Sequence, residues 1–365
     1  MRQLTILLSF DHELSLGGCT SYERNLFAPT SRLLQLAAEL GVGVTLFSDV
    51  LCALKFREWD GTGFYRRFAA QIDDVICHGQ DVQLHLHPHW LDSTYINGKY
   101  IPSESYTLGA FRDRSPPDDI PGIVRRGIET IHELCCRDPA YQCIAFRAGG
   151  YAIEPESGRV LSGLYENGIR IDSTVAKGFR FECDLWSVDF RQMPRSANWY
   201  IAPTGPIDRE AANGIFEIPI ATRPRTPFNN LPRLMRRIVL RGRGYDSTGW
   251  AIDVGRTSAI TKLLRLVPRS CWMLGFDDHT ETPRELLKTL LSHVDRHGDQ
   301  SHIACSAISH PKFMGERSLT LMRDFVGLVR EEFGTAVSFP TFRQFYDMHL
   351  KDKGKLDPMF VLTNP

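Results

Sequence analysis

Apolar residues in this chain follow two rhythms. Short runs that are continuous or alternate with period two predict strands over Leu4–Phe10, Val42–Phe47, Val82–His87, Cys143–Arg147 and Ile169–Asp172. Later runs at Ile215–Ile220, Trp272–Phe276 and Ile303–Ile308 read the same way. Between them, apolar positions recur every three or four residues and predict helices over Ser31–Leu40, Phe64–Cys77, Ile120–Cys136, Glu154–Asn167, Pro283–His297 and Leu319–Phe333. Ser31 suits a helix cap, Pro121 a first turn, and Gly41, Gly79 and Gly168 stand where helices should stop. Repeated strand-helix alternation predicts an α/β fold around a mainly parallel sheet.

Two stretches break the rhythm. Residues 90–119 are polar, aromatic and rich in turn formers, fit for a lid, a substrate wall or a plain surface excursion. Residues 223–253 are basic, with Arg223, Arg225, Arg233, Arg236, Arg237, Arg241 and Arg243 close together. That density suggests contact with an anion, such as the phosphate of an activated or lipid-linked sugar. No repeat or linker divides the chain. The expectation is a single catalytic domain over 1–350 with these two insertions, and a C-terminal tail over 351–365.

Composition narrows the class. The 365 residues carry 43 basic and 43 acidic side chains, so no net field favours nucleic acid. Hydrophobic residues make up 42% and charged residues 24%, which suits a globular protein. The nine cysteines are odd in number and lack zinc-finger spacing, and Cys143, Cys271 and Cys305 fall in apolar strands. This fits free thiols in a reducing compartment. The apolar start is too short for a signal segment and is broken by Asp11-His12-Glu13, and no run is long enough to span a bilayer. A cytoplasmic location is expected.

The chemistry gathers at strand ends. Three of the twelve histidines fall in Gln83-Leu84-His85-Leu86-His87-Pro88-His89-Trp90. Alternation puts His85 and His87 on one face, Pro88 ends the strand, and His89 could fold back from beyond it. Such a density of imidazole suggests a divalent metal site. Phe10-Asp11-His12-Glu13 closes the first strand with two carboxylates. An Asp/Glu/His set suits zinc at an open catalytic site, with an unbound carboxylate acting as general base. Asp11, His85, Arg147, Asp172 and His310 each end a predicted strand, where α/β barrels place their catalytic groups.

In these residues the chain resembles the polysaccharide deacetylases with a NodB-type domain, carbohydrate esterase family 4. Ser9-Phe10-Asp11-His12-Glu13 is similar to the family's first motif, and His85 with His89 to its paired histidines. Arg147-Ala148-Gly149-Gly150-Tyr151 resembles the third motif, Asp172-Ser173 the fourth, and Ile308-Ser309-His310-Pro311 the fifth. The resemblance implies a distorted (β/α) barrel of about seven parallel strands. It also implies Asp11 as general base, Arg147 as its orienting partner and His310 as general acid. Glu13, His85 and His89 would be metal ligands, with His12 and His87 in reserve. Tyr151, Asp172 and Trp90 would meet the substrate.

The chain departs from the pattern in places. His12 occupies the second acidic position, and Ala148-Gly149-Gly150 replaces a proline with a looser turn. Leu274-Gly275-Phe276-Asp277-Asp278-His279 mimics the first motif late in the chain, and is read as a structural or auxiliary element. The implied activity is metal-dependent removal of an acetyl group from an N-acetylated sugar in polysaccharide or lipopolysaccharide assembly. The implied cofactor is a divalent ion, Zn²⁺ first, with Co²⁺ or Ni²⁺ also accommodated. The implied partner is a carbohydrate, nucleotide- or lipid-linked, and the oligomeric state is left open. Two alternatives stand beside it: hydrolysis of a linear or cyclic non-sugar amide, and carbohydrate binding without metal.

Overall fold

The computed structural model describes residues 3–15, 21–59, 63–226, 235–236, 271–277 and 281–351. Most of the basic stretch, the tail beyond Lys351, and Asp278 with His279 lie outside the described residues. The parallel strands are β1 (Gln3–His12), β2 (Val44–Asp49), β3 (Asp81–Leu86), β4 (Ala145–Ala148), β5 (Ile171–Asp172), β6 (Ile215–Glu217) and β7 (His302–Ser309). They lie in the order β6-β5-β4-β3-β2-β1-β7. Trp199–Ile201 pairs antiparallel with β6 and Val337–Ser338 joins β1, completing a nine-stranded sheet. The α/β reading of the sequence holds.

The two faces of the strands explain both the core and the site. Side chains alternate across a strand. Ile6, Leu8 and Phe10 of β1, Leu46 of β2, Val82, Leu84 and Leu86 of β3 and Phe146 of β4 share one large apolar cluster with the flanking helices. The opposite face begins apolar, with Leu7, Phe47, Ala145 and Ile171 packed around Phe342 and Phe345 of the helix Phe342–His349. Toward the carboxyl ends the same face turns polar, through Ser9 and Asp11, Asp49, His85 and Arg147. All of these are buried. Burial on both faces is why the strands read as nearly continuous apolar runs.

The expected barrel does not close by a ladder among the described residues. The segment after β6 reaches the residues that follow β5 and strand β7 through single bridges from Ile220 to Ala176 and to Ser306. Pro219 sits in that segment and has no N–H to give; its carbonyl accepts from the Ser306 amide at 3.0 Å.

Strand and helix bounds move by a few residues from those expected. β1 runs on through His12, and the helix anticipated at Ser31 begins at Ala28. Gly41 ends that helix with φ 58°, a left-handed turn open to glycine. The helix Val50–Trp59 had no periodic signal, because Val50, Leu51, Cys52, Ala53, Leu54 and Phe56 are all buried. Residues 90–119 are more ordered than expected: they hold a turn at Pro88–Asp92, a hairpin of Thr94–Ile96 with Lys99–Ile101, and a turn at Leu108–Phe111.

Candidate metal centre and active site

β1 and β3 deliver the central cluster. Asp11 is the penultimate residue of β1, and Glu13 follows two residues later on the same face. His85 is the penultimate residue of β3, and His87 lies just beyond it, again two residues on. One ligand atom each from Glu13, His85 and His87 lie within 4.8 Å of one another, and all three residues are buried. His85 Nε2 is 3.3 Å from Glu13 Oε2 and 3.1 Å from His87 Nε2. The His87 ring is also ion-paired to Glu13 Oε2.

The proton on His85 can be placed. Its Nδ1 lies 2.8 Å from the Arg147 carbonyl oxygen, which can only accept. Nδ1 therefore donates, which leaves Nε2 as the ring atom facing Glu13 and His87; burial would lower this histidine, and Asp11 and Glu13 raise it above its ordinary value. Two imidazole nitrogens and a carboxylate oxygen converging on one buried point are the donor set of a divalent cation. Gly149 makes room for them. A Cβ there would stand 2.6 Å from the Leu86 carbonyl oxygen and 2.8 Å from His87 Nδ1. The Ala148-Gly149-Gly150 turn is thus a close packing device rather than a loose one.

A second group surrounds this cluster. Arg147 is fully buried, and all three of its nitrogens donate. Its Nη1 donates to Asp11 Oδ1 at 2.8 Å, its Nη2 to Ser9 Oγ at 2.7 Å and Ser173 Oγ at 3.2 Å, and its Nε to the Ser173 carbonyl at 2.9 Å. His310 Nε2 lies 3.6 Å from both Asp11 Oδ2 and Glu13 Oε1. Asp277 accepts from the other side of His310, from the ring Nδ1 at 2.6 Å and the backbone N–H at 2.8 Å.

The electrostatics follow from these contacts. Burial pushes the Asp11 carboxyl up, but Arg147, His85 and His310 together bring it below its usual range. Burial likewise opposes ionisation of Glu13, and Lys312, His87 and His85 overcome it, so Glu13 falls well below the carboxylate range. Burial would lower His310; Asp277, Asp11 and Glu13 raise it above an ordinary histidine. The site therefore holds an ionised carboxylate beside an imidazole that favours its protonated form.

Other anticipated residues lie elsewhere. His12 points to the opposite face, its Nε2 2.9 Å from Gln71 Oε1 and its Nδ1 3.3 Å from Ser48 Oγ, and burial lowers its pKa to about 4. His89 sits in the turn after β3, outside the three-donor group, its ring 5.4 Å from that of His87. Both of its ring nitrogens are buried without a hydrogen-bond partner. Trp90, expected to meet substrate, is only 1% exposed and donates from Nε1 to Asp49 Oδ2 at 2.6 Å, so it packs beneath the site. Asp172 is equally buried. It accepts from Thr174 Oγ1 at 2.7 Å and faces Glu217 across the sheet, with no open side for a ligand. Tyr151 has a left-handed backbone, φ 61°, and lines a cavity of about 180 Å³ with Ile153, Phe190 and Asp208. Two residues of the site were not placed there by the sequence, although the Asp277 motif was read as a structural or auxiliary element. Lys312 was one charge among many, and Asp277 read as part of a decoy.

The fold has known counterparts. The chain superposes with a Mycobacterium smegmatis chain classed as a polysaccharide deacetylase at a TM-score of 0.51 and 15% identity, covering 100% of this chain and 95% of that one. The allantoinase Puue aligns at a TM-score of 0.49 and 11% identity, covering 95% of this chain and 92% of the other. No family model and no curated protein sequence matches the chain. What is shared with the Mycobacterium smegmatis chain is the fold. No described helix is long and apolar enough to cross a membrane.

Proposed function

We propose that this protein is a metal-dependent hydrolase that removes an acetyl group from an N-acetylated sugar. The observation that carries the reading is the convergence of Glu13, His85 and His87 donor atoms beside the Asp11–Arg147 and His310–Asp277 pairs. The fold shared with a chain classed as a polysaccharide deacetylase supports the substrate class. Lipopolysaccharide or another surface polysaccharide, as a nucleotide- or lipid-linked precursor, is the substrate setting proposed.

Glu13, His85 and His87 would hold the ion, with His89 next to them. A bound divalent ion, Zn²⁺ first, would polarise the acyl carbonyl and increase the acidity of water at the site. Asp11 remains ionised and is positioned to take the proton of the attacking water. Arg147 fixes the carboxylate's direction and leaves Oδ2, 3.6 Å from His310 Nε2, free for that proton. His310 keeps its proton through Asp277 and can pass it to the departing amine. Base and acid thus start in opposite protonation states, as amide cleavage requires.

The test is purification with metal analysis, followed by acetate release from N-acetylglucosamine oligomers with added Zn²⁺, Co²⁺ or Ni²⁺. Stoichiometric metal and acetate release support the reading. Turnover of a linear or cyclic amide without acetate release would move the substrate class. Carbohydrate binding with no metal and no turnover would overturn the enzyme.

A further inference from the structure

Lys312 occupies a place where a metal centre of this kind has no obvious need of a cation. It lies in the turn Pro311–Phe313, two residues past His310, and is buried. Its Nζ donates to Glu13 Oε1 at 2.7 Å and to the Leu14 carbonyl at 3.2 Å. The other oxygen, Glu13 Oε2, is the one that faces His85 Nε2 and the His87 ring. The carboxylate is therefore divided. One oxygen belongs to the lysine and one to the donor cluster.

Two consequences follow from this division. A tethered Oε1 cannot swing round to a second bond with an ion, so Glu13 offers one oxygen. A fixed ammonium one carboxylate away from the ion also repels it, and in a buried site that repulsion is weakly screened. Both carboxylates nearest the donor cluster are already paired with a fixed cation, Asp11 with Arg147 and Glu13 with Lys312. An incoming cation meets two paired carboxylates instead of two bare ones.

Resting on the metal-centre reading above, we propose that Lys312 is a built-in counter-cation that weakens metal binding and restricts Glu13 to a single ligating oxygen. It is a positioning residue, acting on the ion through Glu13. Its effect is a more readily exchanged ion.

The experiment measures Zn²⁺ and Co²⁺ affinity by competition with a chromophoric chelator, using protein stripped of metal. Lys312→Met and Lys312→Gln should bind about tenfold or more tightly than the native protein, and Lys312→Arg, which keeps the charge, should stay within about threefold of it. Thermal unfolding gives an independent reading. Without metal, Lys312→Met and Lys312→Gln should melt below the native protein, since Glu13 loses its ion pair, and Zn²⁺ should raise their Tm by more than it raises the native one. If Lys312→Met does not fold, Lys312→Gln carries the test, because its amide still donates to Glu13. Equal or weaker affinity in both charge-removing variants overturns the role of Lys312 and leaves the metal centre intact. Absence of metal binding in every one of these proteins overturns the metal centre and this inference together.

Discussion

Asp277 holds His310 by two atoms at once, the ring Nδ1 at 2.6 Å and the backbone N–H at 2.8 Å. This fixes both the position and the tautomer of the imidazole and turns Nε2 toward Asp11 and Glu13. Asp277→Asn should keep the metal and lower kcat about tenfold to a hundredfold, measured as acetate release alongside metal content. Loss of bound metal in this variant would place the ion at Asp277 and set aside the Glu13 cluster.

The metal ligands can be separated from the proton donor. His85→Ala and His87→Ala should lose metal and turnover together, while His310→Ala should keep metal and lose turnover. His89→Ala should weaken metal binding less than His87→Ala, because His89 lies outside the three-donor group. Metal content by elemental analysis decides each case. The reverse order for His87 and His89 would restore the ligand pairing that the family resemblance implies.

Arg147 bears on stability as well as chemistry. It is buried among Asp11, Ser9 and Ser173, and its guanidinium lies 4.3 Å from the Phe47 ring centroid. Arg147→Met would strand a buried carboxylate and should cost about 3–5 kcal/mol in urea unfolding. Asp11→Asn on that background should recover part of the loss, since the uncompensated charge is then gone. No recovery would mean that packing, rather than charge, sets the cost.

A pH effect on stability should come from a buried histidine remote from the centre. Burial, with Lys177 and Arg296 nearby, lowers His297 to about 4. The unfolded chain would take up its proton near pH 6.5 while the folded chain refuses it until about pH 4. Folding stability is unaffected above that window and falls as pH drops through it. Urea unfolding should show native protein losing about 2 kcal/mol between pH 7 and pH 5 from this group, and His297→Phe losing less. An identical pH slope in both proteins would remove His297 as the cause.

Much of the centre was legible in the chain because its signals are local. Alternation along β1 and β3 puts Asp11 with Glu13 and His85 with His87 on shared faces, and backbone geometry alone dictates that. The same rule separates His12 from its neighbours, and the structure sends it to Gln71. Between His87 and His89, strand alternation favours His87 as the partner of His85, whereas the family resemblance implies His89 and leaves His87 in reserve. The turn at Pro88–Asp92 settles where each ring stands. The family resemblance implied Trp90 and Asp172 as substrate contacts, but both are sealed by packing here.

The sequence by itself determined the parallel α/β sheet and marked Asp11, Glu13, His85, Arg147 and His310 as candidates near strand ends, with His87 held in reserve behind His89. Each of these is written in period, turn residue or strand terminus, over a few residues of chain. Only the tertiary structure decided that Lys312 grips Glu13 from 299 positions away and that Asp277 stands behind His310. The first pairing depends on β7 lying against β1, and the second on residues 274–277 lying against the end of β7, long-range events that leave no periodic trace in either partner.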